Sequence, residues 1–190
     1  MNAFLISFGV IFLAELGDKS QLMAMTFAAR YRAITVLIAI TVATAIVHLG
    51  SVLLGAVIGV ALPTNIINVV AGLAFLGFAV WTLRGDELTE EEAAKAEQAR
   101  SRSVFLTVCF AFFLAELGDK TMLATITLST ENGLFGTWIG STLGMVAADA
   151  LAIGVGHVLG TRLPERVIRI GAAIAFLLFG MLLIVEGVRN

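Results

Sequence analysis

Eight residues, FLAELGDK, occur twice in this 190-residue chain, at Phe12–Lys19 and again 101 residues later at Phe113–Lys120. A hydroxyl residue follows each copy, serine in the first and threonine in the second. Hard divalent cations such as Mn²⁺, Ca²⁺ and Mg²⁺ prefer oxygen ligands of this kind. The doubled segment therefore predicts a cation site. Its candidate ligands are Glu15, Asp18, Ser20, Glu116, Asp119 and Thr121.

Three further side chains belong to the two segments or adjoin them. Lys19 and Lys120 are expected to pair with a nearby carboxylate when no ion is bound, which offsets part of the negative charge. Gln21 has Met122 as its repeat partner, so the site cannot be fully symmetric. Gln21 is either a ligand on one side only or a hydrogen-bonding group between helices.

Two more polar residues correspond under the same offset, His48 and Asp149, and each lies near the middle of an apolar stretch. Asp149 is expected to belong to the ion or proton path, because an unpaired carboxylate in a membrane interior is normally functional. For His48 two interpretations stay open. It is a hydrogen-bonded core histidine, or a proton carrier or nitrogen ligand, since imidazole titrates near neutral pH.

The spacing of the acids also predicts local geometry. Glu15 and Asp18 are three residues apart, as are Glu116 and Asp119, so a helix would present each pair on one face. A glycine lies inside each pair. It allows either the close approach of a neighbouring backbone or a loosened helix that exposes carbonyl oxygens.

The elements that carry these residues must lie in a membrane. Hydrophobic residues make up 59% of the chain and charged residues 14%, with a mean hydropathy of +0.99, more than a soluble domain of this length can bury. Each ionised group at mid-membrane costs about 2.5–3.5 kcal/mol on insertion scales. Stretches of membrane-spanning length predict six helices. They lie at residues 3–28, 34–61, 66–84, 103–128, 136–160 and 167–188.

The repeat extends beyond the motifs, since Pro63 maps to Pro164 and Phe75 to Phe176. Each copy holds three predicted helices, and an odd number places the copies in opposite orientations across the bilayer. The predicted fold is thus an all-α membrane protein with two inverted three-helix repeats, residues 1–84 and 103–190. Residues 85–102 between them are predicted to form a linker helix.

Basic residues predict the orientation. Nine lie at one end of the predicted helices and only Arg189 at the other, while Lys19 and Lys120 lie in the motifs. Because basic loops face the cytoplasm, both termini are predicted to be outside it. The nine are Arg30, Arg32, Arg84, Lys95, Arg100, Arg102, Arg162, Arg166 and Arg169.

At the two E-L-G-D-K-[ST] segments, Glu15–Ser20 and Glu116–Thr121, the chain resembles the manganese/calcium:proton antiporters, which include MneA-type manganese exporters. They are grouped with the lysine-exporter superfamily, which has a six-helix, three-plus-three design. The resemblance covers the whole chain. It implies that the acids of both motifs bind the transported ion, and that Mn²⁺, or Ca²⁺ in some members, leaves the cell in exchange for protons.

The predicted function is therefore export of Mn²⁺ or Ca²⁺ across a bacterial plasma membrane in exchange for protons. An exporter of another small cation, such as a basic amino acid, is one alternative, and a passive divalent-cation channel is the other. No sequence motif supports an enzyme, a cofactor or an ATP-driven pump. The expected partners are the cation, protons and the lipid bilayer, with no nucleic acid; the oligomeric state is left open.

Overall fold

The computed structural model describes residues 2–84, 103–159 and 165–189, and the regular structure in these ranges is α-helical. The linker helix predicted at 85–102 lies outside the described residues. The helices are α1 (Ala3–Glu15), α2 (Lys19–Arg30), α3 (Ala33–Ala61), α4 (Thr64–Arg84), α5 (Val104–Glu116), α6 (Lys120–Glu131), α7 (Leu134–Leu159) and α8 (Glu165–Arg189).

Four stretches of helix are long and apolar enough to cross a membrane, and they belong to α3, α4, α7 and α8. Helices α1 and α5 are equally apolar in character but have only 13 residues each. A membrane crossing needs about 20 helical residues, so α1 and α5 are each too short to span the bilayer alone. The long stretches are Ala33–Ala61, Thr64–Arg84, Leu134–Gly156 and Ile170–Arg189.

The prediction of continuous helices over residues 3–28 and 103–128 is wrong. Each is broken inside the E-L-G-D motif, where Gly17 has φ 77° and Gly118 has φ 81°. This left-handed conformation suits glycine and stops the helix, so α1 ends at Glu15 and α5 at Glu116. A new helix begins after three intervening residues in each case, at Lys19 and at Lys120.

Helix α7 lies along both members of the first broken pair. Gly136 packs on Ala3, Gly144 on Phe8, and Gly156 on Met25 in α2. Helices α1 and α2 therefore pack one after the other along α7, and both run parallel to it. The end of the bundle that contains Asn2 and the start of α7 is called the N-terminal end below. The opposite end, with Arg30 and Arg84, is called the linker end.

Helices α4 and α8 form the largest contact between two helices. They run antiparallel, because Gly72 packs on Gly180 while Gly187 packs on Asn65. Phe75 contacts Phe176, its repeat equivalent, with ring centroids 5.8 Å apart. The absence of side chains at the glycines lets the two backbones approach, which is the usual way that membrane helices pack.

Candidate cation site

The two helix breaks carry the predicted acids. Glu15 and Glu116 are the last residues of α1 and α5, and Asp18 and Asp119 are the N-caps of α2 and α6. The prediction that each pair shares one helical face is therefore wrong, since a non-helical turn separates its members. All four side chains are almost completely buried. Each break thus holds one acid at a helix C-terminus and one at a helix N-terminus.

Salt bridges join the two motifs to each other. Lys120 donates to Asp18 Oδ1, and both side chains are at least 96% buried. The repeat-equivalent salt bridge joins Lys19 to Asp119. Its Nζ–Oδ1 distance is 4.0 Å, and the Lys19 side chain is 20% exposed. The sequence predicted that the lysines pair with carboxylates, but not that each would pair with the aspartate of the other motif.

The glutamates have fewer partners than the aspartates. Neither carboxylate oxygen of Glu15 has a hydrogen-bond partner among the described residues, and one oxygen of Glu116 also has none. The other oxygen of Glu116 accepts a hydrogen bond of 2.9 Å from the Thr121 hydroxyl. Ser20, the repeat equivalent of Thr121, makes no such bond to a described residue. The motifs therefore share a sequence but differ in hydrogen bonding.

Repulsion among carboxylates is not fully compensated at this site. Glu15 is repelled by Glu116, Asp18 and Asp149 and attracted by Lys120. Two lysines, of which only Lys120 is buried, cannot balance five buried acids, so the excess negative charge favours binding of a cation or protons. Yet within the described ranges no three His, Cys, Asp or Glu groups are close enough to hold a metal ion. In this conformation the acids converge without forming a finished coordination shell.

Asp149 lies close enough to the motifs to interact with Asp18, and His48 is less closely tied to them. Asp149, on α7, is fully buried, interacts with Asp18, and has no hydrogen-bond partner at either oxygen in the described structure. His48, on α3, is also fully buried. Neither of its nitrogens bonds to a described residue. The interpretation of His48 as a hydrogen-bonded core histidine finds no partner in these ranges.

The side-chain amide of Gln21 links the first helix break to α7 by hydrogen bonds. Its carbonyl oxygen accepts a bond of 2.8 Å from the Gly17 N–H, and its amide donates at 2.9 Å to the Ala148 carbonyl beside Asp149. Met122 holds the second break in the equivalent way, with its sulfur 3.1 Å from the Gly118 nitrogen. These contacts favour the interpretation of Gln21 as a hydrogen-bonding group between helices.

Sequence reasoning missed several buried hydroxyl groups that lie on helices around the acids. One signal could have found them: at the 101-residue offset most have apolar partners, which marks the two halves as chemically different. The set comprises Ser7, Thr44, Ser51, Thr125, Ser129, Thr137 and Ser141.

Comparisons with known proteins identify the family of the chain. A family model described as "Divalent cation/proton antiporter GDT1" matches residues 3–90 and 104–190, that is, both halves of the chain. A protein of Vibrio cholerae named "Putative manganese exporter" is 35% identical, over 95% of this chain and 90% of its own length. The GDT1-like protein sll0615 of Synechocystis is 30% identical, over 95% of this chain and 96% of its own length.

A plant relative, the chloroplastic GDT1-like protein 2 of Oryza sativa, is 29% identical over 95% of this chain and 60% of its own length. No solved structure matches the chain. The family description names a divalent cation and protons as the exchanged ions, which means transport rather than catalysis. The chain belongs to the divalent cation/proton antiporter family GDT1 and is an integral membrane transporter.

Proposed function

We propose that this protein exports Mn²⁺ from the cytoplasm in exchange for protons, with Ca²⁺ as the second candidate cation. One observation carries the proposal: two crossed lysine–aspartate pairs lie beside glutamates that lack partners at three of their four carboxylate oxygens. Such an excess of buried acid can be balanced by a divalent cation in one state and by protons in another. The name of the Vibrio cholerae relative supports Mn²⁺.

The proposed ligands are the carboxylates of the two motifs, assisted by the hydroxyls of Ser20 and Thr121. Asp18 and Asp119 would each bind the metal when it is present and pair with a lysine when it has left. Lys120 and Lys19 would then neutralise these carboxylates in the empty site. Backbone carbonyls at the C-terminal ends of α1 and α5 add oxygens, as at the broken helices of other transporters. Protons from outside would then compete with the ion for the same carboxylates and release it.

Asp149 extends the acid cluster and is proposed as an auxiliary group for protons or the ion. Gln21 is proposed to position the first break rather than to bind the metal, because both ends of its amide are already engaged. His48 is proposed as a proton carrier, because it is buried and bonds to no described residue.

We also propose the six-span inverted repeat, in which α1–α2 and α5–α6 each act as one broken span. The antiparallel packing of α4 on α8 supports it, because these are equivalent helices of the two repeats. Contacts between equivalent residues support it further. Thr44 bonds to Met145 and Phe75 packs on Phe176, and a residue can touch its own equivalent only near a two-fold axis. Alternating access would follow from rocking of one repeat against the other.

The proposed orientation places both termini outside the cytoplasm of a bacterial plasma membrane. Cysteines introduced at Asn2 and Asn132, in a background with Cys109 replaced by alanine, should react with an impermeant thiol reagent in intact cells. A cysteine at Ala94 should react only after the cells are opened. Labelling at Ala94 alone in intact cells would reverse the orientation, and therefore the direction of export.

Transport in proteoliposomes tests the substrate. Uptake of Mn²⁺, Ca²⁺, Mg²⁺ and lysine would be followed with fluorescent indicators, or with radiolabel for lysine, with and without a pH gradient. We expect Mn²⁺ uptake that a proton gradient accelerates, and no lysine uptake. Uptake of lysine would favour a basic amino acid exporter. Metal uptake that is indifferent to the pH gradient would favour a channel.

A further inference from the structure

The buried interior of the bundle is polar towards its N-terminal end and apolar towards its linker end. At five pairs of repeat-equivalent positions, the residue nearer the N-terminal end carries a hydroxyl and the residue nearer the linker end is aliphatic. All ten side chains are completely buried, so the difference is not one of exposure. The pairs are Ser7 and Val108, Ser51 and Ala152, Thr125 and Ala24, Thr137 and Val36, and Ser141 and Ile40.

Helix packing places the five hydroxyls in the same half of the bundle. On α7, Gly140 packs on Phe4 and Gly144 on Phe8, so Ser141 lies level with Ser7 of α1. On the other side, Gly55 of α3 packs on Ser129 of α6. Ser51 and Thr125 each lie one turn before these residues and are therefore also level with each other. Ser51 and Thr125 are therefore one turn nearer to the motifs than Gly55 and Ser129 are.

Several of these polar groups have unused hydrogen-bonding capacity. Ser7 Oγ, Thr137 Oγ1 and both nitrogens of His48 have no partner among the described residues, although all three side chains are fully buried. An unpaired buried polar group destabilises the fold, and buried water normally satisfies such groups. The hydroxyls of Ser51 and Thr125 donate to carbonyls of their own helices, which leaves their oxygens able to accept.

Four buried positions in the described ranges have the opposite polarity. Gln21 and Thr44 lie beside the motifs and have methionines at the equivalent positions, and the other two lie near the surface of the linker end. Thr107 and Thr82 are buried, and their equivalents nearer the N-terminal end are Ile6 and Leu183. Thr107 is in the first turn of α5 and bonds to the Ser103 carbonyl, and Thr82 is in the last turn of α4. Thr107 and Thr82 therefore do not continue a polar lining inwards to the motifs. Gln21 and Thr44 already donate hydrogen bonds, to Ala148 and to Met145.

We propose that the polar N-terminal half of the interior provides the path by which protons reach the motif carboxylates, and that the apolar linker half is a dry seal. The proposal rests on the proposed cation/proton exchange. Each hydroxyl would accept a proton from one neighbour and give its own to the next, so it is regenerated after every transfer. Apolar constrictions exclude water and ions until they widen, which would prevent protons from leaking through when no metal passes.

A cavity of about 130 Å³ lies at the N-terminal end, and none of the five hydroxyls is among its lining residues. It lies between α1, α4, α6 and α8, and its polar lining is Thr127, Asn132 and Glu186. The linker-end equivalents of its residues Leu128 and Asn132 are Phe27 and Tyr31, whose rings stack with centroids 6.3 Å apart. Leu128 and Asn132 thus border a cavity at the N-terminal end, whereas the equivalent positions at the linker end carry stacked aromatic rings.

Exchanging residues between the two halves tests this inference. In the double variant Thr137→Val with Ser51→Ala, each residue is replaced by the one at its repeat-equivalent position. We expect metal-driven proton movement into proteoliposomes to slow about tenfold, because each lost hydrogen-bonding group interrupts the chain. The dissociation constant for Mn²⁺ should stay within about twofold, because neither residue belongs to the ion site. The slowed step should also show a larger solvent deuterium isotope effect.

The reverse exchange, Val36→Thr with Ala152→Ser, is the matched control and should leave the proton rate from the N-terminal side unchanged. Thr137→Val alone repeats the test in a nearly isosteric form if the double variant folds poorly. A wild-type proton rate in Thr137→Val with Ser51→Ala would overturn the inference, as would equal slowing by both exchanges. Failure of the proposed function looks different, because the wild-type protein itself would then move no protons with the metal.

Discussion

Glu15→Gln should abolish transport while leaving a folded protein that is at least as stable as the wild type. The substitution keeps the shape of the side chain but removes a carboxylate that is repelled by Glu116, Asp18 and Asp149. Loss of an outer-shell partner alone typically weakens metal binding 10–100-fold, so loss of a direct ligand should reduce transport at least about 100-fold. Thermal unfolding should show an equal or higher Tm, because a neutral amide relieves the repulsion.

Glu186→Gln is the matched control, because it makes the same chemical change at an exposed carboxylate on the edge of the cavity. It should transport at a rate close to that of the wild type. Asp119→Asn should behave like Glu15→Gln in transport. Wild-type transport by Glu15→Gln in liposomes would remove Glu15 from the ion site, and a large fall in Tm would instead assign it a structural role.

Gly118→Ala should reduce transport at least about tenfold, although no atom stands in the way of the added methyl group. Nothing lies within 4 Å of a Cβ at this position, so the effect must come from the backbone. The φ of 81° costs an L-residue about 1–2 kcal/mol relative to a right-handed helical conformation. Alanine would therefore favour continuation of α5 into α6, which would turn Glu116 and Asp119 away from their present positions.

Gly77→Ala provides the comparison for this prediction. Gly77 also has open space around it, but it lies within α4 and has no left-handed φ. Transport by Gly77→Ala should match that of the wild type, and its helix should be slightly stabilised. If Gly118→Ala also transports normally, the helix break is not required for function and the acids need no such arrangement.

The sequence predicted which acids the structure buries near one another better than it predicted their geometry. The doubled motif singled out the four acids, and the inference that Asp149 belongs with them relied on the shared offset and on its position as an unpaired carboxylate in an apolar stretch. From the sequence, a helix break was one of two possible roles for Gly17 and Gly118. Hydropathy does not report backbone conformation, and apolar residues continue on both sides of each motif. The mistaken assignment of Glu15 and Asp18 to one helical face followed from that uncertainty.

Contacts between the halves could not be predicted from the sequence in the same way. Pairing of Lys120 with Asp18 depends on how two distant breaks meet, and both motifs offer the same residue types for several arrangements. Gln21 shows the same difficulty, because an amide can be a metal ligand or a hydrogen-bonding group between helices, and the sequence does not show which atoms it contacts. Its hydrogen bonds to Gly17 and Ala148 favour the second interpretation, a hydrogen-bonding group between helices.

The central claim is that one set of carboxylates alternates between metal and protons, and proton release on metal binding tests it most directly. Calorimetric titration of the purified protein with Mn²⁺, in buffers that differ in ionisation enthalpy, counts the protons released. We expect at least about one proton per Mn²⁺, and weaker binding at pH of about 6 than of about 8, because ligands must lose their protons to bind metal. Mn²⁺ binding that releases no protons and does not change with pH would contradict the exchange mechanism.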